Sequence, residues 1–239
     1  SSRGVIRRMP SVASIDGTLV PSLALEMLRV AQHVPSLRLA VSRDGIDSVS
    51  VGRLTVPTEA DGTLRVYFSR HLAQRFVSAV DVLDGRVHEA DLRGQLVLIG
   101  LTGVALQEYQ NTPIGERMSG SEIHAQLLEN LLDGTLLRRP GWAPALEAAV
   151  LLLLGSLLLW AVPRWRTGPS ALLLLGCVLV PVLLAFAAFR AQYLLFDALT
   201  PSLSLLLFFG VLLLLTLAEA TQQGRALQRH TIAGPLPAV

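Results

Sequence analysis

The chain is 239 residues long, 51% hydrophobic and only 16% charged, with a formal net charge of +2. So small a positive excess gives no argument for a nucleic-acid binder, and the single cysteine, Cys177, excludes an intrachain disulfide or a thiolate metal cluster. The apolar excess lies in the C-terminal third, the pattern of a membrane protein with a water-soluble head rather than of one uniform globule.

The opening "SSRGVIRRMP" carries no charged-then-apolar leader, and the first apolar stretch, "LVPSLALEMLRVA", is interrupted by Glu26 and Arg29. An export signal for the head is therefore expected upstream of Ser1, with the chain a fragment or a mature product. "GVIRRMP" predicts a strand. "PSLALEMLRVAQH" has helical spacing, with Leu23, Leu25, Met27, Leu28 and Val30 on offer for a buried face. "DSVSVGRLTVPTEADGTLRVYFS" is rich in valine, threonine and aromatics and predicts strands, with Asp61-Gly62 as the hairpin turn. "FVSAVDVLDG" predicts a short helix stopped by glycine, "GQLVLIG" a buried strand, and "GSEIHAQLLENLLDG" an amphipathic helix. Together these predict an α/β (or α+β) head with a central sheet and helices packed on it.

Three apolar runs follow, at residues 143–162, 169–189 and 199–218. Each is roughly 20 residues, enough to cross ~30 Å of hydrocarbon as a helix. Pro181 and Pro201 are tolerated in membrane spans. The connectors "PRWRTG" and "RAQYLLFD" are short, so neighbouring spans run antiparallel, and three crossings put the head and the tail on opposite sides. Arg164, Arg166, Arg225 and Arg229 count for one side; Arg138, Arg139 and Arg190 count for the other. That narrow majority favours a cytoplasmic tail under the positive-inside rule. Trp142, Trp160 and Trp165 sit at span ends, where indoles favour the interface. The organisation predicted is a head at 1–141, a three-helix membrane region at 142–218 and a tail at 219–239.

The head shows no P-loop, dinucleotide glycine fingerprint, nucleophile elbow or histidine-rich metal signature. Its histidines are scattered. Glu122 and His124, two residues apart on a helix, point about 200° away from each other and so do not face one substrate. Glu122 is expected to favour the helix N-terminus through the dipole, and His124 to make a local hydrogen bond. No catalytic residue, metal ligand or cofactor is predicted. The stretch from residue 102 to residue 119 is long for a compact domain and follows the strand expected at "QLVLIG". Ligands of α/β sheets bind beyond the carboxyl ends of strands, so Thr102, Glu108, Asn111, Thr112 and Arg117 are candidate contacts for a small polar solute.

"DLRGQLVLIGLTG", then "NTPIGERMSGSEIHAQLLENLLDGTLLRRPGW", then three spans resemble the C-terminal part of a type-two CHASE domain; "GVIRRMP" and "VSAVDVLDG" fit the same pattern. The resemblance implies an extracytoplasmic sensory domain of a bacterial receptor, with an upstream anchor and half-domain and an output such as a histidine kinase or a nucleotide cyclase. It implies that Glu122, His124 and Trp142 belong to the helix and linker that hand the head's position to the first span. The chain departs from relatives at "ALQEYQNTP", where Gly-Asp is commoner before Thr-Pro, and at Ser119 and Ser121, where proline and an aliphatic residue are more usual. The partners expected are the lipid bilayer, a small-molecule or periplasmic cue, and a second copy in a homodimer, with Gly155, Ser156, Gly176 and Gly210 allowing close helix approach; no nucleic acid is expected. The place expected is the inner (cytoplasmic) membrane, crossed more than once, with the head periplasmic or extracellular and the tail cytoplasmic. An integral membrane enzyme using Glu108, Glu122 or His124, and a transporter subunit, are the alternatives. The second is disfavoured because the span interiors lack acidic or basic residues apart from Glu147 and Asp197 near the ends, whereas ion paths place charge within the membrane.

Overall fold

A computed structural model describes residues 4–43, 45–101, 109–165 and 167–232, and the chain divides into two compact units, Ser1–Arg138 and Arg139–Val239. The first unit is the mixed head that the sequence predicts, and the second carries three helices long and apolar enough to cross a membrane.

In the head, β1 (Arg8–Pro10) pairs antiparallel with β7 (Thr63–Arg65), and β2 (Val12–Ile15) with β3 (Thr18–Pro21). β4 (Leu37–Ser42), β5 (Gly45–Val51) and β6 (Leu54–Pro57) form a three-stranded antiparallel sheet, and β8 (Tyr109–Asn111) pairs with β9 (Arg117–Ser119). Among the described residues the β-structure thus falls into four small sheets rather than one central sheet. Most pairings are local, because tight turns close them. Asp16 and Gly17 both have positive φ, as a two-residue primed turn requires, and join β2 to β3. The Asp61-Gly62 turn has a different job from the predicted hairpin. β6 pairs with β5 and β7 with β1, so this turn carries the chain from one sheet to another. The Asp61 carboxylate accepts from the Thr63 hydroxyl and N–H, which holds its pKa below the usual carboxylate value.

Helix α1 (Leu23–Ala31) turns Ala24, Leu25 and Leu28 onto Val49, Val51 and Val56 of the sheet. Leu23 and Val30, expected in that face, are instead 49% and 57% exposed. At about 100° per residue they lie across the helix from the sector centred on Leu25 and Leu28. From β7 onward burial alternates, with Leu64, Val66 and Phe68 inside, the period of an extended chain.

Burial then stops. Residues 71–101 hold no buried side chain, although they include α2 (Ala79–Leu83) and α3 (Glu89–Leu92). α2 ends at Gly85 in the left-handed region, the glycine stop that the sequence predicts. "GQLVLIG" is not the buried strand expected: it pairs with no strand and Ile99 is 93% exposed. Its composition suits a strand buried on both faces, but no described strand lies beside it to supply the ladder partners that such burial needs.

The second unit packs α5 (Ala143–Ala161), α6 (Thr167–Gln192) and α7 (Leu199–Ile232) around Leu158, Cys177 and Leu205. Leucines such as Leu152, Leu172, Leu183 and Leu207 point outward, as a lipid-facing surface allows. Aromatic rings sit at both ends of α5, Trp142 against Phe196 at 5.7 Å and Trp160 against Trp165 at 6.2 Å, with Arg164 over the Trp160 ring. Glu147 accepts from Arg139 at 2.8 Å and from the Asp197 N–H at 2.7 Å. Asp197 in turn caps α7, accepting from the Thr200 hydroxyl and from the Thr200 and Leu199 N–H groups, which depresses its own pKa.

Candidate functional site

Helix α4 (Gly120–Asp133) is the amphipathic helix expected at "GSEIHAQLLENLLDG". The Ser119 hydroxyl caps it, accepting from the Glu122 N–H at 3.2 Å, and Gly134 closes it in the left-handed conformation with φ 69°. Ile123, Leu127, Leu128 and Leu131 enter the core. Beside them runs a polar row at spacing four: Glu122, Gln126 and Asn130.

That row holds the chain after β7. Asn130 accepts from the Tyr67 N–H at 2.7 Å and donates back to the Tyr67 carbonyl at 3.2 Å. Gln126 does the same at Ser69, accepting at 3.1 Å and donating at 3.0 Å. One helical turn earlier, and two residues further along the extended chain, Glu122 Oε1 lies 2.9 Å from His71 Nδ1. The registers agree because four helical residues rise about 6 Å and two extended residues about 6.6 Å. A primary amide presents the same donor and acceptor as a peptide group, so α4 stands in for a neighbouring strand along residues 67 to 71. Gln126 and Asn130 are both buried. The third rung is the only ionisable one of the three, with Glu122 10% exposed and His71 52% exposed.

Other pieces meet the same end of α4. The Glu116 carboxylate, from the turn between β8 and β9, accepts from the His71 N–H at 2.9 Å, and the Phe76 ring lies 4.7 Å from the imidazole. Gly100 packs so closely that a Cβ there would stand 2.5 Å from Ser121 Oγ. Further along, Arg75 makes a two-pronged ion pair with Glu129 at 2.7 Å.

Glu122 lies in the first turn of α4, as expected for a residue that complements the dipole, and adds the contact to His71. His124 does not make the local hydrogen bond expected: its Nδ1 is buried without a partner, and burial lowers its pKa. The helix turns this ring away from the polar row, where no donor or acceptor meets that nitrogen. Trp142 lies in the second unit, directly before α5, with its ring tilted against Phe196. Thr102 and Glu108 lie outside the described residues. Asn111 and Arg117 face each other across the β8–β9 pair, with the Arg117 guanidinium 5.7 Å from the Tyr109 ring centroid. Thr112 is buried, and its hydroxyl donates to the Glu116 carbonyl at 2.7 Å, closing the turn. The hairpin thus gathers three of the candidate contacts, with Thr112 engaged in the turn itself.

The sequence reading missed His71, Glu116, Gln126 and Asn130. The signal for two of them was present: amides at spacing four beside the apolar positions of one helix, where a buried polar group must find a partner. Among the described residues no group of three histidine, cysteine or acidic side chains is placed to hold a metal ion.

Residues 2–162 match the family model described as the CHASE2 domain, a stretch that runs from β1 through the end of α5. No curated protein and no solved structure matches the chain. CHASE2 is an extracytoplasmic type of sensory domain, and here it is followed into three membrane-capable helices. With its head, its capped α4 and the first apolar helix all inside the matched region, the chain belongs to the CHASE2 domain family.

Proposed function

We propose that this chain is the input module of a bacterial transmembrane receptor. The head lies outside the cytoplasmic membrane and senses a small-molecule or periplasmic cue. Three spans carry the response inward, through the linker from Gly134 to Trp142, to a histidine kinase or nucleotide cyclase attached beyond the tail. The head acts as a sensor, not as a catalyst. The observation that carries the reading is the family match continuing into the first of three membrane-capable helices. Three crossings put the head and the C-terminal tail on opposite sides, and the arginine distribution favours the tail inside. Arg138 and Arg139 are the awkward cations on the head side, and the second of them is engaged by Glu147.

The test is a fusion after Arg229 in the complete gene product. A bright fluorescent protein and an inactive alkaline phosphatase are expected there; an active phosphatase reverses the orientation and removes the receptor reading.

The cue binds at the stretch from residue 102 to residue 119, with Thr102, Glu108, Asn111, Thr112 and Arg117 as its contacts. Support comes from the hairpin, where Asn111 is exposed, Arg117 is displayed over Tyr109, and the turn reaches His71 through Glu116. In the intact receptor, Glu108→Ala and Arg117→Ala are expected to blunt the response without changing membrane insertion. An unchanged response in both moves the cue elsewhere.

The module works as a homodimer, because a signal across the bilayer requires two helix arrangements of different stability. Support comes from an open apolar groove between α5 and α7, lined by Leu151, Leu152, Gly155, Ser156, Ser204 and Phe208. Ser156 and Ser204 spend their hydroxyls on their own helix carbonyls, which leaves the groove apolar and shaped for a helix.

A further inference from the structure

We propose that Glu147 couples the first span to the third: it ties Arg139, at the entrance to α5, to the N-terminal cap of α7, so that a displacement of the linker reaches α7 without passing through α6. The coupling rests on the receptor reading for what it carries, but not for the contacts that make it.

Glu147 is the only charged residue in the sequence of α5. A carboxylate so close to hydrocarbon is costly unless partners occupy it. Here both oxygens are engaged and the side chain is only 16% exposed. Oε2 accepts from the Arg139 guanidinium at 2.8 Å, and Oε1 accepts from the Asp197 N–H at 2.7 Å. The two partners lie eight residues before Glu147 and 50 residues after it. An apolar side chain would suit the span by itself. The junction between these two segments is what requires an acceptor with two oxygens.

Asp197 passes the constraint on. Its carboxylate accepts from the Leu199 and Thr200 N–H groups, each at 3.0 Å, and from the Thr200 hydroxyl at 2.6 Å, which fixes the first turn of α7. Glu147 thus holds the backbone of the residue whose side chain caps α7. One residue earlier, Phe196 meets the Trp142 ring at 5.7 Å. Deeper in, Leu158 of α5 and Leu205 of α7 share one core with Cys177, so the two helices are joined at two depths. α6 is the weaker carrier. Pro181 stands inside it with no N–H to give the Cys177 carbonyl, and Tyr193, at φ 55°, breaks the chain away just after its end. Chain order would take a displacement through α5, then α6, then α7. The Glu147 contacts reach the start of α7 in one step, and α7 is the helix that runs on beyond its apolar part to Ile232.

The experiment is hydrogen exchange by mass spectrometry on the full chain in nanodiscs. It follows three peptides: the first turns of α5, the end of α6, and the stretch holding the Asp197, Leu199 and Thr200 amides. Arg139→Ala is expected to speed exchange in the third peptide about fivefold, the effect of one weakened hydrogen bond, and to leave the end of α6 unchanged. Glu147→Gln keeps an oxygen for the Asp197 N–H but turns an amide nitrogen, not an acceptor, towards Arg139. In that background Arg139→Ala is expected to add nothing. A change confined to α5 makes the ion pair local, and a change at α6 as large as that at α7 routes the path through α6. An Arg139→Ala effect of equal size in both backgrounds means that Glu147 does not carry it. Each of these three results overturns the proposal. The receptor reading fails separately, by an active phosphatase after Arg229, whatever the exchange shows.

Discussion

The Asn130 carboxamide makes two hydrogen bonds to the backbone of one residue, Tyr67, from a position only 4% exposed. Replacing it by leucine keeps the approximate volume and removes both partners. The Tyr67 N–H and carbonyl are then left facing an apolar surface, which costs about 1–3 kcal/mol per unsatisfied group. Glu129, its neighbour in sequence, pairs with Arg75 in the open, with side chains 40% and 41% exposed, and an exposed pair contributes about 0–1 kcal/mol. Urea unfolding of the full chain in nanodiscs is expected to show Asn130→Leu clearly less stable than Glu129→Ala. Equal losses would mean that the amide ladder does not hold the head together. Single residues of this kind are hard to read in a sequence. Glu122 was placed in the first turn correctly because a helix dipole acts locally, within one element. Its partner His71 is 51 positions away, and Asn130 is 63 positions from Tyr67. Nothing in a local pattern selects such a partner.

Elements are more legible where the pattern states both a period and a stop. α4 has an apolar row, a serine cap and a closing glycine, and it forms as predicted. α2 likewise ends on its glycine. Two readings went differently for related reasons. Asp-Gly signals a turn, but whether the turn makes a hairpin depends on which strands pair on either side. Asp16-Gly17 joins two strands of one sheet, whereas Asp61-Gly62 joins strands of two sheets. "QLVLIG" signals the chemistry of a buried strand, but burial is a relation to neighbours that a run of four apolar residues does not name. Within α1 the broad apolar content allowed several faces, and the sheet selected the one through Ala24, Leu25 and Leu28. The hairpin carrying Asn111, Thr112 and Arg117 was visible only as a long connection. Its turn is closed by the Thr112 hydroxyl, a side-chain bond to the backbone that composition does not reveal.

For the whole molecule, the division into a mixed head and three apolar helices was the clearest feature of the sequence, because crossing ~30 Å of hydrocarbon demands about 20 apolar residues whatever the fold. The single cysteine proves less useful for following assembly than its rarity suggests, since Cys177 is buried between helices of its own chain. Gly155 is the better handle. A Cβ there meets nothing within 4 Å, so the monomer has room for a larger side chain, whereas a second copy seated in the groove between α5 and α7 does not. Stepwise photobleaching in native-like membranes is expected to give two steps for the unaltered protein and one for Gly155→Leu. Two steps in both places the interface elsewhere, and one step in both removes the dimer.

Helix α7 continues from Leu199 to Ile232 without a break, although its apolar part ends at Ala218. At 1.5 Å per residue the whole helix is about 51 Å long. A continuous helix fixes angular phase as well as distance. Adding one residue beyond Ala218 advances everything downstream by about 1.5 Å and swings it by about 100°. Adding seven, close to two full turns, brings it back to within about 20° of its original bearing. Any module joined to this shaft inherits a heading counted in residues, and the length of the join sets which way it faces.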